Sequence, residues 1–399
     1  MFYDIQPLKN KENYKNMLKC VGRLSNLFSE SDSPYLSYRA HENIFCKYLE
    51  ADNLARSDCS ADAKKQNTGI GLKTWVGRDD QKVAEFGKLK KFYADLKGLN
   101  LVKKIAEYRN ERIRVTKNIY GIDVMIYHVV KRIPNAMQIL ECAFDFIDVD
   151  NISMIPDKGN DNNTYFTDGK HTYHFSVSKN TLYMIFSELE LMEEFEVDIA
   201  PDPYELLTGI ENFYNAKEYG IEFVTDSKEQ IIFNKSRVSI KRKMKEQLCL
   251  PLYSIKGKEK IKYVPEKSGI NQWNAGGRVR DVNELYIPYQ SKERKISENF
   301  FPSKDTSFTL HLPNGTDISA KMCQEVDKKN PLMGKAIMSN PNKVLGKWLL
   351  RDVFELPEKV LVTYEMLEKF GIDSVIFTKN SSLSIQSSIN PLFSRHIAY

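Results

Sequence analysis

A short stretch of the chain combines an acidic residue, a glycine-rich turn and a lysine. Asp62 precedes Gly69 and Gly71, and Lys73 follows them on a segment whose apolar residues predict a β-strand. Metal-dependent cleavage of a phosphodiester needs carboxylates that hold a divalent cation, a water molecule that the metal activates, and a positive charge near the phosphorus. Asp62 and Lys73 would supply a carboxylate and the positive charge, so the pattern predicts a magnesium-dependent nuclease site.

The second acid that such a site usually has is missing from its usual place. A carboxylate two residues before Lys73 would point to the same face of the strand, but Gly71 stands there. Glu85, on a following segment predicted to be helical, and Glu42, on a preceding helix, are candidate replacements, and Asp58 is a spare acid nearby. The predicted catalytic residues are Asp62, Lys73, Glu85 and Glu42, and the predicted Mg²⁺ ligands are Asp62, Glu85 and Glu42.

The same residues also have a non-catalytic interpretation. Aspartates in a serine-rich loop commonly cap helices or form turns, and Lys73 would then be an ordinary exposed residue of a strand. Spacing alone leaves both interpretations open, because catalysis requires the side chains to meet in space.

Length and composition describe a folded chain with more than one domain. The chain has 399 residues, of which 42% are hydrophobic and 28% are charged, and its net charge is +5. This composition excludes a disordered protein and is compatible with a nucleic-acid partner. The six cysteines show no zinc-binding spacing, and no segment reaches the ~18 apolar residues of a membrane span. We expect a cytoplasmic protein with reduced thiols and no membrane contact.

The predicted elements divide the chain at a lysine-rich segment. Helical spacing predicts helices over 11–30, around residues 44–49, over 78–96 and over 100–121, and strands follow between 123 and 186. We expect an α+β or α/β nuclease domain over 1–256, a linker over 257–269, and a β-rich DNA-binding domain over 270–399. In that last domain, Asn314-Gly315 predicts a β-hairpin, and the segment 343–356 predicts short strands and turns.

The C-terminal part carries basic and polar residues that suit DNA. Arg278 and Arg280 lie in a glycine-flanked arm, and an arginine can bind two acceptors of guanine at once. The other predicted DNA-binding residues offer phosphate contacts or short polar contacts to bases, and they are Lys304, Gln324, Lys335, Ser339, Asn340, Asn342 and Lys343. The alternatives are a surface salt bridge for the two arginines and a plain turn for residues 339–343.

Several longer stretches of this part resemble a known DNA-recognition domain. They are GGRVRDVNELYIPYQ, ENFFPSKDTSFTLHLPNGTDISAKMCQ, GKAIMSNPNKVLGKWLLRDVFEL and LVTYEMLEKFGIDSVIFTK. Together they are similar to the C-terminal domain of NgoFVII-type restriction endonucleases over residues 270–380. The resemblance implies a pseudo-barrel, of the kind with which plant hormone-response transcription factors bind the major groove.

The N-terminal part resembles a different nuclease class. The stretch from YRAHENIFCKYLEADNL through GIGLKTW to QKVAEF is similar to the PD-(D/E)XK core of bacterial type II restriction enzymes, although Gly71 replaces an acid. It lacks the HxK pair of the phospholipase D class, because Val130 and Ser176 stand two residues after His128 and His174.

These resemblances imply a type II restriction endonuclease that cuts double-stranded DNA with Mg²⁺. Cutting both strands of a palindrome needs two active sites, so we expect a homodimer, with a cognate DNA methyltransferase as functional partner. The alternative is a DNA-specificity subunit whose nuclease half is inactive and which works beside separate catalytic partners. A transcriptional regulator would leave the acid and lysine pattern without a purpose.

Overall fold

The computed structural model describes most of the chain. The described residues are 1–54, 59–155, 162–218, 246–257, 259–297, 299–326, 332–381 and 384–391. Asp58, the spare acid, lies outside the described residues, as does the linker residue Lys258. Within the described ranges, no helix combines the length and the apolar character that crossing a membrane requires.

The chain forms a mixture of helices and strands. The helices are α1 (Leu8–Arg23), α2 (Tyr38–Tyr48), α3 (Gly98–Tyr120), α4 (Pro203–Glu218), α5 (Ser291–Ile296), α6 (Val344–Gly346) and α7 (Tyr364–Phe370). Helix α6 continues into a π-helical segment, Lys347–Val353, and short 3₁₀ segments occur at Ser25–Leu27, Gly87–Phe92 and Gly269–Asn274.

The strands group into three larger sheets and one small hairpin. They are β1 (Asp52–Asn53), β2 (Ala63–Lys65), β3 (Thr68–Val76), β4 (Asp80–Glu85), β5 (Val124–Ile133), β6 (Ala136–Ala143), β7 (Ser153–Met154), β8 (Asn163–Thr167), β9 (Thr172–Ser176), β10 (Thr181–Ile185), β11 (Glu190–Glu196), β12 (Gln247–Pro251), β13 (Ser254–Lys256), β14 (Ile261–Tyr263), β15 (Ile287–Pro288), β16 (Ser307–His311), β17 (Asp317–Glu325), β18 (Gly334–Ser339), β19 (Ile372–Ser381) and β20 (Ser384–Pro391).

The first sheet carries the predicted catalytic stretch. Its strand order is β1-β2-β3-β5-β6-β11, and only β3 and β5 run parallel to each other. Side chains alternate along β3, so Ile70 and Leu72 pack with α1 and α2, whereas Trp75 packs in the core that contains α3. The sheet therefore lies between helices on both faces, and α2 covers the part of β3 that leads to Lys73.

The second sheet corrects one prediction. Its order is β4-β10-β9-β8-β7, and all of its pairs are antiparallel. Residues 80–85, predicted to be helical, instead form β4, which pairs with β10. Val83 and Phe86 are three residues apart, a spacing that also occurs on one face of a helix. Pairing with a strand about a hundred residues later makes this segment extended instead. The turn at Asp168 and Gly169 joins β8 to β9.

The C-terminal sheet is a nearly closed barrel. Its order is β12-β19-β20-β16-β17-β18-β15, and the two edge strands, β12 and β15, approach each other. The hairpin of β16 and β17 turns at Asn314 and Gly315, as predicted. Residues 343–356, predicted as strands and turns, form α6 and the π-helical segment instead, and Trp348 and Leu349 on it are buried in the core.

The barrel begins before the segment that the sequence analysis predicts as a linker. Strand β12 pairs with β19 from Gln247 to Pro251, and the predicted linker 257–269 contains β14, which forms a hairpin with β13. The lysine-rich composition that suggests a linker therefore belongs, in part, to a small hairpin beside the barrel.

Helix α3 connects the first sheet to the C-terminal barrel. Its buried residues belong to one continuous core that also includes the π-helical segment and strands of the barrel. On its surface, Arg114 forms an ion pair with Glu355, and Asn118 Nδ2 donates a hydrogen bond of 2.6 Å to the same carboxylate. The two halves of the chain are thus packed against each other through α3.

Candidate active site and nucleic-acid interface

Helix α2 presents Glu42 to the catalytic stretch. The helix begins after Ser37, whose side chain accepts a hydrogen bond from the Ala40 N–H, and its apolar residues Ile44 and Phe45 pack on the first sheet. Glu42 is 7% exposed, and its Oε2 accepts a hydrogen bond of 2.7 Å from Arg39 Nη1. The amphipathic pattern of α2 thus determines which way its only buried carboxylate points.

A buried hydrogen-bond chain holds α2 in place beside this glutamate. Tyr14 Oη bonds His41 Nε2 at 2.9 Å and His128 Nε2 at 3.1 Å, and His128 Nδ1 bonds Glu141 Oε1 at 2.8 Å. The chain therefore links α1, α2, β5 and β6. Burial lowers the pKa of His41 well below its usual range, so this histidine is neutral and serves as a structural contact.

Asp62, just before β2, and Lys73, on β3, lie near enough to Glu42 for their charges to act on it. Asp62 Oδ2 accepts a hydrogen bond of 2.8 Å from the Leu72 N–H, which fixes the carboxylate beside β3. The charges of Asp62 and Lys73 both act on the pKa of Glu42, and the charge of Lys73 acts on the pKa of Asp62. The structure therefore brings together three of the four predicted catalytic residues.

Each member of this trio keeps bonding capacity unused. The second oxygens of Glu42 and Asp62 accept no hydrogen bond from the described residues, and within those residues Lys73 forms no ion pair or hydrogen bond. The three ionisable groups therefore influence one another's charge without bonding to one another.

The electrostatics of the two carboxylates favour a cation in this place. Burial raises the pKa of Asp62, against the opposing effects of Lys73 and of the Leu72 N–H. Burial and then the charge of Asp62 raise the pKa of Glu42, against the effects of Arg39 and Lys73. A nearby positive ion would lower the free-energy cost of keeping these two buried carboxylates ionised.

The donor set also matches the predicted metal. Mg²⁺ prefers oxygen ligands, keeps several of its waters and commonly uses one or two carboxylates. Glu42 and Asp62 offer one unused carboxylate oxygen each. Among the described residues there is no group of three or more His, Cys, Asp or Glu side chains suited to a metal. Within the described ranges, a Mg²⁺ ion at this place would therefore have only these two carboxylates as ligands and would keep its other waters.

Glu85, the fourth predicted catalytic residue, lies elsewhere. It ends β4 in the second sheet, its side chain is 54% exposed, and it pairs with Lys82 at 2.6 Å. Its charge does not contribute to the pKa shift of Asp62 or of Glu42. Of the two glutamates that the sequence leaves open as replacements, the structure places Glu42 at the site and Glu85 away from it.

Aromatic side chains explain why a glycine replaces the acid at position 71. A Cβ atom on Gly71 would lie 2.9 Å from the Tyr127 ring and 3.0 Å from the Phe144 ring. These two rings stack with their centroids 4.1 Å apart, and Tyr127 is buried. The space that an acidic side chain would need is therefore filled, and an acid at the site has to come from another element.

This packing gives a prediction for stability. Gly71→Ala is expected to lower the free energy of unfolding by about 1–3 kcal/mol, because its methyl group overpacks the Tyr127 and Phe144 stack. The measurement is urea-induced unfolding followed by fluorescence. The matched control is Gly209→Ala on α4, where an added Cβ meets nothing within 4 Å, and this change should be neutral or stabilising. Equal urea midpoints for the two variants would show that the Tyr127 and Phe144 stack rearranges at little cost in free energy.

The basic arm of the C-terminal part is anchored by a buried acid. Arg278 Nη2 and Arg280 Nη1 both donate to Glu284 Oε1, at 2.6 and 2.5 Å. Asn342 Nδ2 donates to the other oxygen of Glu284 at 3.0 Å. Three of the predicted DNA-binding residues therefore meet at one carboxylate that the sequence analysis did not select. The feature of the sequence that could have indicated this contact is that Glu284 lies four residues after Arg280.

The remaining predicted DNA-binding residues divide by exposure. Ser339 is fully buried, and its hydroxyl donates to the Pro341 carbonyl and accepts from the Leu345 N–H, so it shapes the turn and is not available to DNA. Lys304 pairs with Glu325 at 2.8 Å. The exposed residues are Gln324, Lys335, Asn340 and Lys343. Lys335 is close enough to Cys323, on the next strand, to affect the pKa of its thiol.

The C-terminal part of the chain matches a known family of DNA-binding domains. Residues 245–381 match the NgoFVII C-terminal B3-like DNA-binding domain. This domain comes from a restriction enzyme family, and the matched region starts just before β12, so it covers the barrel from its first strand. No curated protein matches the chain. The match supports DNA as a partner and suggests a protein of a restriction system.

Proposed function

We propose that this chain is a type II restriction endonuclease that hydrolyses double-stranded DNA at a specific sequence with Mg²⁺. The observation that carries the proposal is the convergence of Glu42, Asp62 and Lys73, all with unused bonding capacity, in a chain that also has a restriction-enzyme DNA-binding domain. The barrel would bind the duplex, and the PD-(D/E)XK-like edge of the first sheet would cut it.

In this proposal the chain's own groups have distinct tasks. Glu42 and Asp62 would hold Mg²⁺, which lowers the pKa of a bound water and offsets charge on the phosphate. The ammonium of Lys73 would orient the attacking water or stabilise the negative charge that develops on phosphorus. The water oxygen would form a bond to phosphorus in line with the P–O3′ bond, which breaks. The proton that the attacking water loses passes to solvent, and the leaving 3′-oxygen takes a proton from solvent, so that the products are a 5′-phosphate and a 3′-hydroxyl. Cutting both strands requires a second copy of the chain, and a cognate DNA methyltransferase would protect the host sites.

A second candidate function rests on a different observation. Gly71 replaces the usual acid, and the Tyr127 and Phe144 stack occupies its space. A chain that had lost nuclease activity would tolerate this replacement, so the same barrel would then serve as a DNA-specificity subunit beside separate catalytic partners. The position of Glu42 favours the enzyme, because it supplies a second carboxylate where a subunit would need none.

The deciding experiment is digestion of unmethylated plasmid DNA by the purified full-length protein. We expect discrete fragments with Mg²⁺ and intact plasmid when the metal is chelated, because water activation requires the ion. Binding of the plasmid without cleavage, over a range of Mg²⁺ concentrations, would overturn the nuclease and support the specificity subunit.

A further inference from the structure

Glu284 is a buried carboxylate with an unusual number of donors. It is 0% exposed, and it lies just before β15. Besides the two arginines and Asn342, the Tyr286 hydroxyl donates to Oε1 at 2.9 Å. An ionised carboxylate removed from water is costly unless hydrogen bonds and opposite charges compensate it. Here four donors do so, and two of them are guanidinium groups.

The donors come from two separate segments of the predicted DNA interface. Arg278 and Arg280 belong to the arm, residues 275–281, and Asn342 belongs to the turn, residues 339–343. The two segments are about sixty residues apart in sequence, yet one carboxylate connects them. The position of the arm relative to the turn therefore depends on Glu284.

The two arginines are held to different degrees. Arg280 has a side chain that is 14% exposed, and its Nε also donates to the Ala275 carbonyl at 2.9 Å. Arg278 is 49% exposed and follows two glycines, and the next residue, Val279, is 97% exposed. Arg280 and Asn342 thus act as internal braces, while Arg278 and Val279 form the outward tip of the arm.

We propose that Glu284 is a specificity-determining positioning residue of the DNA interface. It holds the arm and the turn in one geometry for contacts with base edges, and its negative charge offsets the two arginines that would otherwise attract any DNA backbone. It therefore favours discrimination between sequences at the expense of non-specific affinity. The inference rests on the proposed function only in requiring that the barrel binds duplex DNA by sequence.

The test compares the full-length protein with Glu284→Gln, which keeps the shape and removes the charge. A randomised duplex library is first selected with the wild-type protein in chelator, so that no DNA is cut. Affinities of both proteins are then measured for the selected duplex and for a shuffled duplex over a range of salt. For Glu284→Gln we expect the affinity ratio between the two duplexes to fall at least about tenfold. The shuffled duplex should bind as tightly or more tightly, with a steeper salt dependence.

Control variants separate this role from simple folding. Glu358→Gln removes the same charge from an exposed position of the same domain and should leave the affinity ratio unchanged. Thermal melting shows whether Glu284→Gln is folded. If it is not, Asn342→Ala removes one brace, leaves three donors on Glu284, and should shift the ratio in the same direction by less.

The outcomes are distinct. Equal weakening of both duplexes, or an unchanged ratio in a folded Glu284→Gln protein, would overturn the inference and leave Glu284 a structural residue. A wild-type protein that enriches one sequence but does not cut it with Mg²⁺ would overturn the proposed nuclease and leave the inference standing. A wild-type protein that enriches no sequence would overturn sequence recognition and the inference with it.

Discussion

Asp62→Asn is expected to abolish Mg²⁺-dependent cleavage while leaving the protein folded. Asparagine keeps an oxygen that can accept the Leu72 N–H, so the local structure should survive. It loses the anionic oxygen that would hold the metal, and with it both water activation and charge stabilisation. We expect the cleavage rate to fall at least about a thousandfold, which corresponds to about 4 kcal/mol of transition-state stabilisation. The measurement is single-turnover digestion of plasmid DNA.

The control for this change is DNA binding without metal, which should be unaffected because Asp62 lies outside the barrel. Lys73→Ala should reduce cleavage as well, since it removes the positive charge near phosphorus. Wild-type rates in both variants would show that the stretch is only a turn beside a strand, and the nuclease assignment of this half would be wrong.

Glu42→Gln and Glu85→Gln form a matched pair with opposite expected results. Glu42→Gln should lower cleavage at least about a hundredfold, because a buried carboxylate beside Asp62 and Lys73 loses its charge. Glu85→Gln should change cleavage less than about twofold, because it breaks only an exposed ion pair with Lys82. Both are measured as cleavage rates at saturating Mg²⁺.

The same pair can also be followed through the Mg²⁺ concentration that gives half-maximal cleavage. Glu42→Gln should raise this concentration and Glu85→Gln should not, since only Glu42 lies where it can hold the ion. A strong loss in Glu85→Gln with normal cleavage in Glu42→Gln would contradict the geometry of the site.

Local signals in the sequence predict much of the fold. Helices α1, α2 and α3 are found at or close to the positions that periodic apolar residues predict. The turn at Asn314 and Gly315 is also found, because glycine readily adopts the positive φ of +88° that this turn requires. In each case the deciding interaction lies within a few residues of the signal.

Distant interactions account for the errors. Residues 80–85 are a strand because β10 pairs with them, and that partner lies far along the chain. The prediction for Glu85 depends on a helix over this segment, and that conformation is wrong, because the segment is β4. The exposed ion pair with Lys82 argues against a place for Glu85 at the site. Glu42 could be named as an alternative but not chosen, because the choice depends on how α2 packs across β3.

The predicted DNA interface also depends on contacts between residues that are distant in sequence. Residue types suffice to select Arg278, Arg280 and Asn342, since these side chains commonly contact bases. They do not reveal that all three bind Glu284, because the arm and the turn meet only in the folded barrel. Nor do they reveal that Ser339 is buried, which follows from its bonds inside the turn.

Helix α3 has a consequence for the distance between recognition and cutting. Its 23 residues span about 35 Å. The contacts to both halves lie close together near its C-terminal end: Thr116 Oγ1 accepts the Ser60 N–H two residues before Asp62, and Arg114 and Asn118 bind Glu355 of the barrel half. The helix therefore fixes the position of the first sheet relative to the barrel, whereas a flexible linker would allow that position to vary. A nuclease built in this way would cut at one constant number of base pairs from the sequence it recognises.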